Sequence, residues 1–135
     1  MATSIFVNLP VDDLAASKAF FAKLGFTFNA QFTDETAAAM VISETIYAML
    51  LTHEKFKQFT PKAIADARTT SQMLIALSRE SRQEVNAMFD KAIGAGATEV
   101  RPTDDQGFMM SRAFNDLDGH IWEIMWMDPS FVQPG

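Results

Sequence analysis

The sequence predicts an α+β fold built from two βαβββ modules, their sheets pairing around a concave cavity with the helices on the outer faces. Three observations predict it. The order of strand-like and helix-like segments is the same in both halves of the 135-residue chain, which is an internal repeat. Each half holds one helix with a clear start signal. Each sheet would carry a helix on only one face, so the halves must pair to bury the rest, and the groove so formed is a natural ligand site.

Ile5 to Leu9 reads as a first strand, with Pro10 expected to end its ladder and Asp12 or Asp13 to cap the helix after it. Leu14, Phe20, Phe21 and Leu24 share one helical face, and Gly25 suits the residue after a helix. Phe26 to Phe32 alternates large and polar side chains, the period of a half-buried strand. Thr36 to Ser43 and Thr45 to Thr52 give two further strands around a polar turn at Ser43-Glu44. From His53 to Thr70 the chain turns polar and contains Pro61. There Ala63, Ile64 and Ala67 are spaced for one short linker helix.

The second half repeats the pattern. Gln72 to Ser78 holds a continuous apolar run that suits a strand covered on both faces. Ser81 and Glu84 form a capping-box pattern, after which Val85, Met88, Phe89, Ala92 and Ile93 make an apolar helical stripe that Gly94 and Gly96 end. Ala97 to Arg101 reads as a short strand before Pro102, and Thr103 to Gly107 as a loop. Phe108 to Asn115 and His120 to Met127 pair through a turn at Asp116 to Gly119. The repeats then span about residues 4–58 and 71–130 of a single domain.

Composition narrows the chemistry. Eleven Lys and Arg against 17 Asp and Glu leave a net charge of -6, which disfavours nucleic acid or an anionic membrane as partner. No apolar run approaches the roughly 20 residues of a membrane helix and no leader pattern opens the chain, so a cytoplasmic protein is expected. With no cysteine, metal ligands must come from His, Asp and Glu, and only His53 and His120 supply imidazole. Twelve Phe and nine Met suggest a soft aromatic interior able to line a ligand cavity.

One residue departs from the apolar pattern of the last strand. Glu123 lies among Ile121, Trp122, Ile124 and Met125, where an unpaired carboxylate would cost several kcal/mol, so it needs a cation, a metal or donors. Arg112, between Met110 and Phe114, is the nearest evident cation and is expected to pair with Glu123 or to anchor an anionic ligand. Tyr47 is a candidate hydrogen-bond donor in the cavity. His120, three residues from Glu123, should point to the opposite face, and His53 lies in a charged, solvated stretch. Trp122 and Trp126 share a face and are expected to pack on the helix. The Asp116-Leu117-Asp118-Gly119 stretch lacks the remaining ligands of a calcium loop.

The pattern Val11-x-Asp13-Leu14-x-x-Ser17-x-x-Phe20-Phe21-x-x-Leu24-Gly25-Phe26, with Asp116-x-Asp118-Gly119-x-x-x-Glu123, closely resembles the vicinal oxygen chelate superfamily. That group includes glyoxalase I, bleomycin- and fosfomycin-resistance proteins and extradiol dioxygenases. The chain looks most like small bacterial proteins described as predicted lactoylglutathione lyases. The resemblance implies a homodimer, and one divalent metal held by ligands from strands of both halves. Its last ligand position falls on Glu123, the others on Phe6, Leu50 and Leu74, and a shift of register would offer only the weak ligands Asn8 or Gln72. Three apolar residues leave a poor donor set for Zn²⁺, Ni²⁺ or Fe²⁺. No cofactor is therefore expected, a divalent metal only if Glu123 finds other partners. The expected function is metal-free binding of a small hydrophobic or oxygen-bearing molecule in a cavity that includes Phe6, Asn8, Tyr47, Leu50, Leu74, Arg112 and Glu123. The alternatives are a metal-dependent glyoxalase I-like lyase, and a metal-independent enzyme using Glu123 as general base.

Overall fold

Asp13 opens the first helix as its position dictates: its side chain accepts from the Ala16 N–H at 3.0 Å, and helix α1 runs Leu14–Lys23. Gly25, at φ +104°, turns the chain out of that helix. In the computed structural model, which describes residues 2–131, the chain divides into two units, Met1–Ala65 and Asp66–Gly135.

The first unit holds β1 (Ile5–Val11), α1, β2 (Thr27–Phe28), β3 (Ala37–Val41), β4 (Ile46–Thr52) and α2 (His53–Lys57). Its sheet has the order β1-β4-β3-β2, with β1 parallel to β4 and the other pairs antiparallel. Leu9, Leu50 and Ala38 sit opposite one another in this register and are all essentially inaccessible. They meet the apolar stripe of α1, where Phe20 and Phe21 pack edge to face at 4.9 Å.

The second unit holds β5 (Leu74–Ser78), α3 (Arg82–Gly94), β6 (Thr98–Asp105), β7 (Met109–Asn115) and β8 (Ile121–Met127). Its sheet order, β5-β8-β7-β6, repeats the first with the same senses of pairing. Duplication is thus visible in topology as well as in element order. Ser81 caps α3 by accepting from Glu84 N–H, and Glu84 reaches back to the Glu80 N–H. Val85, Phe89 and Ala92 are buried with Phe114, Trp122 and Ile124 of β7 and β8. No helix among the described residues is long and apolar enough to cross a membrane.

Several expectations are corrected. The strand over Phe26 to Phe32 shrinks to Thr27–Phe28, followed by a turn of 3₁₀ helix at Ala30–Phe32. Asn29 is the cause, since its side chain accepts from Gln31 N–H and its carbonyl from Phe32 N–H, giving the backbone a local alternative to the ladder. The short helix lies at His53–Lys57, capped by Thr52, and not at Ala63 to Ala67. Neither proline ends its strand. Pro10 and Pro102 sit in β1 and β6, which lie at the ends of their sheets, where a missing N–H is tolerated; around Pro102 the register also shifts. Strand β5 is not covered on both faces, with Leu74 55% exposed, and Ile93 of α3 faces outward.

Candidate functional site

In the first unit, strand alternation divides β4 between Tyr47 and Leu50. Ala48 and Leu50 join the buried side that meets α1, while Tyr47 and Met49 face the opposite side of the sheet. Phe6 lies opposite Tyr47 in the register, and the two rings stack 4.8 Å apart at an interplanar angle of 10°. On this face a cavity of about 380 Å³ is lined by Phe6, Asn29, Phe32, Ala39, Tyr47 and Met49. It is almost wholly apolar. The Tyr47 hydroxyl is turned to the rim, where it donates to the Glu44 carbonyl at 2.9 Å.

Of the residues expected to line a ligand site, Phe6 and Tyr47 come together here. Asn8 is exposed on the neighbouring register position, donates to the Phe6 carbonyl, and is not among the lining residues. Leu50 is corrected: it is fully buried on the helix side. The duplication explains the error of one residue. Asn8 and Ala76 lie at the same distance before their helix caps, and they pair with Met49 and Glu123 respectively. The counterpart of Glu123 in the first unit is therefore Met49, next to Leu50. Asn29 and Phe32 escape the sequence reading because their stretch alternates like a regular strand.

In the second unit, Glu123 is partly buried and its Oε1 accepts from Nη2 of Arg101 at 2.6 Å. The sheet brings them together. Glu123 lies opposite Ala113 on β7, and Ala113 opposite Arg101 on β6, so the ion pair spans a small residue between two long ones. Arg112 is not the partner. It lies opposite Ile124, on the α3 side, with its guanidinium 3.7 Å from the centre of the Phe89 ring and Nη1 donating to Asn86 Oδ1 at 2.9 Å. Asp90 and Glu99 stand within 4 Å of the same cation. Leu74, opposite Ile121, is exposed and offers no donor. A double-mutant cycle with Arg101→Met and Glu123→Gln should give a coupling of about 0.5–1 kcal/mol, the scale of a half-exposed pair, falling as salt is raised. Urea unfolding would read it. Coupling between Arg112→Met and Glu123→Gln should be absent, and its presence would contradict the two-faced arrangement.

The histidines are engaged elsewhere. His53 Nε2 lies 2.9 Å from Asp12 Oδ1 at the start of α2, both side chains half-exposed. His120 lies in the β7–β8 turn, where its N–H donates to Asp116 Oδ1. Asp116 is the organising residue of that turn, a role its sequence context did not disclose. Its two oxygens take the N–H groups of Asp118 and His120 and the indole N–H of buried Trp122, at 2.9–3.0 Å. Burial pushes its carboxyl above the ordinary 3.8, although the nearby His120 and these donors oppose the shift. Trp126 stacks with the Arg82 guanidinium at the start of α3, so both tryptophans face the helix as expected.

The divalent metal implied by the resemblance does not fit these residues. Of the positions carried over, Phe6, Leu50 and Leu74 have no donor, Met49 offers only a soft thioether, and Glu123 is already charge-compensated by Arg101. Among the described residues, no three His, Asp or Glu side chains are grouped to hold an ion.

Comparison with known proteins agrees with the architecture. Residues 3–43 match the family described as bleomycin resistance protein-like N-terminal. No curated protein sequence matches the chain. Among solved structures it is similar to a hypothetical protein from S. aureus, with a TM-score of 0.78 and 25% identity over 93% of this chain and 95% of that one. A glyoxalase-related enzyme from Fulvimarina pelagi gives a TM-score of 0.79 and 21% identity over 93% and 88% of the two chains. The fosfomycin resistance protein of Listeria monocytogenes gives 0.67 and 17% over 96% and 97%. The duplicated βαβββ topology and these likenesses show that the chain shares its fold with these glyoxalase-related and fosfomycin-resistance structures.

Proposed function

We propose that the protein binds a small, largely apolar molecule in the cavity of its first unit, without a resident divalent metal. The observation that carries this reading is the cavity of about 380 Å³ lined by Phe6, Phe32, Ala39, Tyr47 and Met49 with a single amide, Asn29. Its volume lies at the small end of the roughly 300–1,000 Å³ typical of ligand pockets, and its lining has their usual character of apolar walls with few polar groups. The donor set argues against metal chemistry: three of the four expected ligand positions are apolar and the fourth is held by Arg101. That same ion pair weakens the case for Glu123 as a general base, because one of its carboxylate oxygens is already taken by Arg101 Nη2.

Thermal shift and calorimetry with neutral aromatic probes test the reading. Binding should weaken about tenfold in Phe6→Ala, which removes one ring of the stacked pair, and remain unchanged in Glu123→Gln. Elemental analysis and titration with Zn²⁺, Ni²⁺ and Mn²⁺ should find no stoichiometric metal. Metal bound one to one and lost in Glu123→Gln, together with hemithioacetal isomerisation, would establish the glyoxalase I-like alternative instead.

A further inference from the structure

We infer that Asn29 is the specificity-determining residue of this cavity, selecting an uncharged aromatic ligand that presents a hydrogen-bond acceptor. The inference rests on the binding function proposed above and narrows it to a ligand class. Asn29 is half-buried and its amide orientation is set by its surroundings. The side-chain oxygen accepts from the Gln31 N–H at 3.0 Å, a role the NH₂ group cannot fill, so the NH₂ is the other half of the amide. That Nδ2 has no protein partner among the described residues. The backbone around it is held on both sides. Asn29 N–H donates to the Ala39 carbonyl at 2.9 Å, and Thr33 Oγ1 donates to the Asn29 carbonyl while accepting from Ala39 N–H.

The other lining groups leave Asn29 this role. Phe6, Phe32, Ala39 and Met49 have no N–H or O–H in their side chains, and the Tyr47 proton is committed to the Glu44 carbonyl. The lining carries no charge, so an ionised ligand would lose hydration with no counter-charge in return. The flat Phe6–Tyr47 stack favours a planar ring over a branched aliphatic chain of the same area. A neutral ring with a carbonyl oxygen or ring nitrogen at its edge meets all of these conditions.

Three naphthalenes of one size test this by calorimetry: acetylnaphthalene, with a carbonyl acceptor; ethylnaphthalene, with none; and naphthoate, an acceptor bearing charge. The wild-type protein should bind the acetyl probe about fivefold more tightly than the ethyl probe, the scale of one neutral hydrogen bond. Naphthoate should bind weakest. In Asn29→Asp, which keeps the acceptor for Gln31 N–H but cannot donate when ionised, the acetyl-to-ethyl ratio should fall to one or below, and Asn29→Ala should bring it to one. The ratio cancels any general loss of fold. A ratio unmoved by both variants, with both probes still weakened by Phe6→Ala, would overturn the role of Asn29 and leave the binding function standing. Naphthoate binding as tightly as the acetyl probe would overturn the selection for neutral ligands. Failure of both neutral probes to bind the wild-type protein would remove the binding function and this inference together.

Discussion

Replacing Gly119 with alanine should destabilise the protein by about 3–5 kcal/mol, read as a lowered urea midpoint or Tm, whereas the same change at Gly25 should cost only about 1–2 kcal/mol. Both glycines have positive φ, +91° at Gly119 and +104° at Gly25, so both variants carry the strain of a side chain in that region. They differ in what surrounds them. A Cβ at Gly25 would meet nothing within 4 Å, while one at Gly119 would lie 2.8 Å from the backbone N and Cα of Arg68 and 2.9 Å from the carbonyl carbon of Ala67. Backbone cannot rotate aside as a side chain can. The segment around Arg68 would have to move, and with it the bond from its guanidinium to the Leu117 carbonyl and its approach to Asp118. Equal costs at the two positions would show that the close approach of Arg68 contributes nothing.

Replacing Asp116 with alanine should cost about 3 kcal/mol below pH 4 and less at neutral pH. The first part comes from the donors left behind. The Trp122 indole N–H is buried with its ring, and the N–H groups of Asp118 and His120 lose the same acceptor; each unmet buried donor costs about 1–3 kcal/mol, set against the removal of a carboxyl that is itself costly to bury. The second part comes from the direction of its shift. Burial holds the folded carboxyl above 3.8, so just above that pH the folded protein binds more protons than the unfolded chain, and stability from this group falls as pH rises. Asp34, Asp105 and Asp128 are shifted downward by hydrogen bonds, and their contribution is lost in the opposite direction, as pH falls. Comparing wild type with Asp116→Ala across pH isolates the one group. A gap that widens with rising pH would contradict the assignment.

The helices were legible because their signals are local. Asp13 and Ser81 each cap the helix that begins at the next residue, and the apolar stripes of α1 and α3 face their own sheets, Ile93 excepted. The strand over Phe26 to Phe32 misled for the same reason in reverse. Alternation of large and polar residues is evidence for a strand only while the backbone ladder has no competitor, and Asn29 supplied one from its own side chain. The same alternation also hid the amide that lines the cavity. Glu123 shows the other limit. Sequence alone required a partner for this carboxylate, yet Arg112, nearer in the chain, lies on the other face, and Arg101 is brought to it across β7 over Ala113.

The sequence by itself determined the order of elements, their duplication, the burial of the helix stripes and the need to compensate Glu123, because each depends on residues a few positions apart or on the cost of an unpaired charge. Tertiary structure alone decided which side chains meet. Whether Met49 or Leu50 faces the cavity, and whether Arg101 or Arg112 meets Glu123, turns on one residue of strand phase, since successive side chains leave a strand on opposite faces and the register between strands is a long-range property.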